Sequence, residues 1–320
     1  MGEVLASVII VNYNGEELLD KAINSILKST FKNFEIIIVD NASTDGSQEF
    51  IKKKYPKIKL VENKINLGYS GINNAIKHCR GKYILFLNND IEVDRKCTGN
   101  LIKVIASDKS IGMTAPRLIN YYNRKLVSGG TWLSRSFYSG HIKDGNVTKN
   151  SIIPYLGIGL IRKSIVDKYG YIFDPDYFIY GEDVDLGLRI RLLGMKVVFV
   201  SNAIIYHVHA ATIAKKGNVL AAYLMERNLL TTFFKILSVK NIILSLPYVL
   251  FMRLIAIVKD IITLNIDLAL LRIKAILNIL VNLNTIVKKR RQTQKFRKVN
   301  DDYIFEVFSE KYLFKSKFIV

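Results

Sequence analysis

The chain has 320 residues, half of them hydrophobic, which suffices for one large α/β domain with an appendage or for two domains and excludes wholesale disorder. Its two cysteines, Cys79 and Cys97, exclude a disulfide framework and a zinc-ligand spacing, and read as small core residues in a reducing compartment. The formal net charge of +20 asks for a polyanionic partner: nucleic acid, anionic lipid or a phosphorylated substrate.

Met1 to Ser7 carries neither the basic region nor the long apolar run of a signal peptide, so the expected location is the cytoplasm or the cytoplasmic face of a membrane. Ser7 to Val11 is a β-branched run that stops in the turn Asn12 to Gly15. Leu18, Leu19, Ala22, Ile23, Ile26 and Leu27 recur at helical spacing and predict an amphipathic helix. Glu35 to Val39 is a second buried strand, closed by the polar run Asp40 to Gly46. Within that run Ser43 or Thr44 can cap a helix running toward Lys54. Leu60-Val61 makes a brief third strand. Asn66 to Gly71 is a glycine-bearing loop, followed by a helix through Ala75 and Ile76 to Gly81.

Tyr83 to Leu87 is a continuous apolar strand that ends in the polar turn Asn88-Asn89-Asp90 and runs on to Asp94. Elements alternating at these lengths predict βαβ units and a mostly parallel sheet. The loops Asn12 to Gly15, Asp40 to Gly46 and Asn88 to Asp94 then converge on one crevice at the carboxyl ends of the strands. Asp90 there is a hard oxygen donor suited to a divalent cation, or simply a turn residue. Asp40 reads either as an acceptor for a base or ribose or as a turn aspartate. No Gly-x-Gly-x-x-Gly and no Walker lysine motif is present, which argues against dinucleotide and P-loop chemistry.

Between Gly112 and Gly159 the chain reads as short strands and loops with a polar, mobile stretch near Lys143 to Asn150. Its single tryptophan, Trp132, is either a core residue or a pocket wall. Gly181-Glu182-Asp183-Val-Asp185 opens a helix marked by Leu186, Ile190 and Leu193. Carboxylates on a first turn are favoured by the helix dipole, which also lowers their pKa and suits a base that must stay ionised. Lys196 to Val200 and Ala203 to Tyr206 are strand-like and lead into His207-Val208-His209, whose imidazoles share one face and can ligate Mn²⁺ or a similar cation.

Taken together, Val8-Ile-Ile-Val-Asn-Tyr-Asn14, Val39-Asp-Asn-Ala-Ser-Thr-Asp-Gly-Ser47, Asn66-Leu-Gly-Tyr-Ser-Gly71-Ile-Asn-Asn74, Phe86-Leu-Asn-Asn-Asp90, Gly181-Glu-Asp-Val-Asp-Leu186 and His207 resemble the family 2 inverting glycosyltransferases of GT-A fold, particularly rhamnosyltransferase-like members. The resemblance covers about Ala6 to Lys235. It implies a GT-A, Rossmann-like mostly parallel sheet flanked by helices, and a nucleotide-sugar donor of dTDP-rhamnose or UDP-sugar type. The implied acceptor is a hydroxyl of a glycan or lipid-linked saccharide. By the same resemblance Asp183 is the catalytic base. Asn12, Tyr13, Asp40, Asn66, Gly68, Asn88, Asn89 and Glu182 line the donor site, and Asp90 with His207 meets Mg²⁺ or Mn²⁺. His207 is followed by Thr212, and His209 ranks second as a ligand. Asn88 stands where the family often has an acid, leaving Asp90 as the main anionic ligand. No Ser-His-Asp order suggests covalent catalysis.

The tail changes character. Asn241 to Val258 is apolar but contains Pro247 and Arg253, and a central arginine costs about 2.5–3.5 kcal/mol on insertion. Ile261 to Val287 is an apolar helix with a narrow polar stripe, followed by Lys288-Lys-Arg-Arg291. Roughly half of the excess positive charge lies in about the last 90 residues. These features predict a catalytic domain over 1–235 and a basic, helical, membrane-associated region over 236–320 at an anionic surface, or else a helical hairpin packed on the catalytic domain. Nucleic acid is not expected, because no recognisable module accompanies the charge. A homo-oligomer is compatible with the sequence. The alternative to catalysis is a nucleotide-sugar-binding scaffold that keeps the fold.

Overall fold

The computed structural model describes residues 3–142, 157–208 and 219–309; the stretch 143–150, His209 and Thr212 lie outside them. In chain order, β1 (Ala6–Asn12), α1 (Glu16–Leu27), β2 (Phe34–Asp40), α2 (Ser47–Lys54) and β3 (Lys59–Glu62) form two successive βαβ units. A 3₁₀ segment, Gly68–His78, leads to β4 (Tyr83–Asn88), β5 (Ile91–Val93), α3 (Cys97–Ser107) and β6 (Ile111–Asn120). Short strands follow: β7 (Leu126–Ser128), β8 (Thr131–Leu133) and β9 (Ser139–His141). Then come β10 (Gly159–Arg162), α4 (Lys163–Tyr169), α5 (Glu182–Leu192) and β11 (Lys196–His207). The remaining helices are α6 (Val219–Ile236), α7 (Val239–Ile262), α8 (Ile266–Val281), α9 (Leu283–Gln294) and α10 (Asp301–Phe305).

The main sheet runs β3-β2-β1-β4-β10-β6-β11-β5. Its first four strands are parallel, as expected for βαβ units. β10 then lies antiparallel to both β4 and β6, and β5 antiparallel to β11, so the sheet as a whole is mixed. An apolar run such as Gly159–Arg162 looks the same in either direction, which is why the sequence is silent on this reversal. β11 joins what read as two strands, with a register shift between Val200 and Ile204.

Period-2 alternation sends Val8 and Ile10 to one face, against Leu19, Ala22 and Ile26 of α1. Ile9 goes to the other face, with Phe86, Phe173, Leu186 and Ile190. A third core joins the opposite side of α5 (Val184, Leu188, Leu192) to Phe233 of α6, Val249 of α7 and Ile286 of α9. α5 is therefore buried on both flanks, between the sheet and the C-terminal helices. Trp132 belongs to a small cluster with Tyr138, Ile142 and Met252, and is core. The helix expected around Ala75 is wound as the tighter 3₁₀ form. Asn73 explains part of this: its side chain accepts from Ile172 N (2.9 Å) and donates to Phe173 O (2.7 Å), tying the segment to the loop ahead of α5.

Candidate active site

Parallel register brings the polar strand ends together: Asn12 pairs with Asp40, and Val11 with Asn88. Side chains then link them into one chain of hydrogen bonds. Asn89 Nδ2 donates to Asn12 Oδ1 (2.8 Å), and Asn12 Nδ2 donates to Asp40 Oδ2 (2.9 Å). Gly15 makes room for this, since a Cβ there would lie 2.1 Å from Asn89 Nδ2.

Asp40 itself is fully buried and accepts from Asn12 Nδ2, Ser43 N, Ser43 Oγ and Gln48 Nε2 at 2.6–2.9 Å. Four donors fill a carboxylate's acceptor positions. Its carboxylate thereby aims Asn12 and the Ser43 turn. Tyr13, 46% exposed beside it, stands at the lip of the crevice.

Asn66 and Gly68 also work locally. Asn66 Oδ1 accepts from Gly68 N (2.9 Å). Gly68 has φ +59°, and a Cβ on it would lie 2.0 Å from the Phe178 carbonyl oxygen, which accepts from Tyr69 N at 2.9 Å. The neighbouring amide chain Asn74→Asn63→Asn41→Gly68 O holds this loop from behind; Asn41 and Asn74 lie within the motifs quoted above, and Asn63 lies outside them. Gly68→Ala is expected to cost about 2–4 kcal/mol through backbone strain and the carbonyl clash. Urea denaturation measures it, and a cost under about 0.5 kcal/mol would show that the loop has no such close approach.

At the end of β4, Asn88 Nδ2 donates to Tyr69 Oη (2.9 Å), which fixes the amide so that Oδ1 points elsewhere; that oxygen is buried and has no hydrogen-bond partner. Next to it, antiparallel pairing of β5 with β11 sets His207 opposite Ile91. Val208 N donates to Asp90 O (2.9 Å), and His207 Nε2 lies 3.5 Å from Asp90 Oδ1. An orphaned amide oxygen and a carboxylate at the end of β4, with an imidazole at the end of β11, are donors of a kind that fits a divalent cation. Among the described residues no group of three or more His, Cys, Asp or Glu side chains is placed to hold an ion.

The three acids opening α5 separate. Asp185 is fully buried, bonded to Arg189 (2.7 Å) and Lys235 (2.6 Å). Glu182 is buried with Oε2 unpartnered, and burial together with the Asp183 charge pushes its pKa well above the ordinary carboxylate value. Asp183 is half-buried. Burial pushes it up to about 6, against the opposing pull of the Val184 N–H (2.8 Å) and the Thr131 hydroxyl (3.3 Å). The expected lowering by the helix N-terminus is thus overturned: desolvation outweighs the dipole. Thr131, on β8, had no sequence signal.

Asn12, Asp40, Asn88, Asn89, Asp90 and His207 thus form one neighbourhood. Asp183 belongs to a second, and the two are joined through Asn88, Tyr69, Phe178 and the loop leading into α5.

The model of glycosyl transferase family 2 matches residues 7–170, just over half of the chain. Among curated relatives, WfaP of Escherichia coli, a UDP-Glc:alpha-D-GlcNAc-diphosphoundecaprenol beta-1,3-glucosyltransferase, is 28% identical over 216 residues, 66% of this chain and 80% of that one. The poly(ribitol-phosphate) beta-glucosyltransferase of Bacillus spizizenii is 38% identical over 202 residues, 60% of this chain but only 30% of the relative's length. Among solved structures, the mannosyltransferase PcManGT of Pyrobaculum calidifontis, solved with GDP-Man and Mn²⁺, superposes with TM-score 0.54 at 14% identity, over 94% of this chain and 85% of its own. That likeness shows the GT-A fold. The matched strands, with their polar ends gathered on one crevice, make this chain a glycosyltransferase: it belongs to glycosyl transferase family 2.

Proposed function

We propose that this chain transfers a hexose from a nucleoside-diphosphate sugar to a hydroxyl of a lipid-linked or polymeric saccharide, with inversion, at the cytoplasmic face of a membrane. Residues 1–235 hold the chemistry and 236–320 the membrane contact. The two sequence relatives are named as glucosyltransferases, which supports UDP-glucose ahead of dTDP-rhamnose as donor. Their named acceptors, a diphosphoundecaprenol-linked sugar and a ribitol-phosphate polymer, support the acceptor class.

The observation that carries the reading is Asp183: a half-buried carboxylate with a pKa of about 6, oriented by Thr131 at the start of α5. In a single displacement the acceptor oxygen bonds to the anomeric carbon as the bond to the diphosphate oxygen breaks. Asp183 takes the hydroxyl proton, and the nucleoside diphosphate departs. A carboxylate near pKa 6 is largely ionised at neutral pH yet more basic than a free aspartate, which suits that task. On the donor side Asp90, Asn88 Oδ1 and His207 would hold Mg²⁺ or Mn²⁺. When bound, the cation neutralises charge on the leaving diphosphate. Asn12 and Asn89, held by the buried Asp40, together with Tyr13, form the rest of that wall, where the nucleoside would lie.

The test is a thermal-unfolding screen of nucleotide sugars with and without Mn²⁺. A matched donor at about a hundred times its Kd adds roughly 2.7 kcal/mol of stability. UDP-glucose plus Mn²⁺ is expected to stabilise the chain, EDTA to remove the effect, and Asp90→Ala to flatten it. Glucosyl transfer untouched by EDTA would remove the metal role.

A further inference from the structure

α7 and α8 are inside-out. Charges on a soluble helix face water, yet here Arg253, Asp260 and Arg272 are buried against the catalytic half. Glu226 of α6 pairs with Arg272, whose Nε donates to Asp260 (2.7 Å), and Glu226 also lies 3.4 Å from Arg253 Nε. Arg253 donates to the carbonyls of Ser136 and Phe137, with its guanidinium 4.4 Å from the Tyr138 ring centroid. The outer faces are apolar: Leu244, Phe251 and Leu254 on α7, and Leu270, Leu277 and Leu280 on α8, are each more than half exposed. Along α7, α8 and α9 the exposed charges are mostly basic, Lys240, Lys274, Lys288 and Arg291, against one exposed acid, Asp267.

By length and composition α7 could cross a bilayer, with 24 residues and a mean hydropathy of 2.0 over its most apolar stretch. Crossing would strip Arg253 from the Ser136 and Phe137 carbonyls, and Asp260 from Arg272, and leave them in hydrocarbon. From this reversed polarity, and resting on the membrane association proposed above, we infer that the α7–α8 hairpin lies in the plane of one leaflet. Its leucine face enters the acyl boundary and its basic margin meets anionic headgroups.

The arrangement also names the acceptor class. On β8, Trp132 packs with Met252 of α7, while its neighbour Thr131 bonds to Asp183. The catalytic base is thus one strand away from the lipid-facing hairpin. An amphiphilic acceptor, with its tail in the leaflet and its sugar raised to the headgroup level, can reach Asp183 without leaving the membrane.

The experiment places a bimane probe on single cysteines at Leu244, Leu254 and Ile262 of the full chain, the native Cys79 and Cys97 being buried. The protein is bound to phosphatidylcholine vesicles containing phosphatidylglycerol and brominated acyl chains. In-plane seating predicts similar, shallow quenching at all three positions. A profile deepest at Leu254 and shallow at both ends would mean a span and overturn the inference, while leaving membrane association standing. A second variant, Leu254→Glu with Leu277→Glu, should weaken vesicle flotation by about tenfold or more and leave donor-induced thermal stabilisation unchanged. Wild type that fails to float, or that buries this face in a dimer, defeats both the inference and the membrane association. Loss of sugar transfer with intact shallow quenching defeats the catalytic reading alone.

Discussion

Asp183→Asn lowers kcat by about 10³-fold while donor-induced thermal stabilisation survives. Asparagine keeps the shape and can still accept from Thr131 Oγ1, so the loss isolates the basic oxygen rather than the packing. Glu182→Gln is the matched control. Its carboxyl is already pushed toward the neutral form by burial and by Asp183, so the amide should cost less than about tenfold. Near-wild-type turnover of Asp183→Asn would remove Asp183 as the base. A larger loss in Glu182→Gln would move that role one residue back.

The same carboxylate sets a pH profile for kcat. Transfer needs the ionised form, so with a pKa of about 6 the rate should fall roughly tenfold for each pH unit below that value. Stability runs the other way. The folded state holds a proton between the ordinary value of 3.8 and about 6 that the unfolded chain has lost. Ionising Asp183 therefore costs stability as pH rises through that window, and the cost persists above it. Asp183→Asn is thus expected to be more stable than wild type at pH 8 by on the order of 1–2 kcal/mol, less than the full shift would give because the group is partly solvated. Equal stability of the two proteins at pH 8 would mean that Asp183 ionises at an ordinary value.

How far the sequence reached differs from residue to residue. The crevice was legible because β1, β2 and β4 are apolar runs that end abruptly in Asn and Asp, and parallel register aligns such ends automatically. Asp90 beside His207 was legible for the same reason, as two strand ends. The split between Asp183 and Asp185 was not. Both sit on one helical turn, and only the packing of Thr131 on one side and Lys235 on the other distinguishes them. The anchoring of Asp40 was not legible either, because its four donors come from Asn12, Ser43 and Gln48, a convergence that exists only after folding. Arg253 looked like a flaw in an apolar segment. It is the residue by which that segment grips the turn between β8 and β9.

Lys235→Met removes about 3 kcal/mol of stability and lowers the unfolding midpoint by about 4–5 °C. The ammonium is fully buried, 2.5 Å from Asp174 Oδ2 and 2.6 Å from Asp185 Oδ1. Burial alone would favour its neutral form, but Asp185 and Asp174 reverse this and hold it charged well past the ordinary lysine range. Asp174 answers in kind. Burial would raise it, and Lys235 and Lys289 hold it well below the ordinary carboxylate value. Removing one partner of a buried pair costs about 3–5 kcal/mol because the other charge is left bare. Here the lower end applies, since Asp185 keeps Arg189 and Asp174 keeps Lys289. Because Asp174 contributes stability above its unfolded pKa and loses it as pH falls through the depressed folded value, the deficit of Lys235→Met should shrink in acid. Asp174→Asn in the Lys235→Met background should recover part of the loss at pH 7. That double-mutant rescue separates an uncompensated charge from a packing defect, which would leave the two costs simply additive. Asp185 lies two residues beyond Asp183, so the broken network also releases the first turn of α5. kcat should then fall while donor-induced stabilisation stays, which ties the C-terminal helices to the placement of the base.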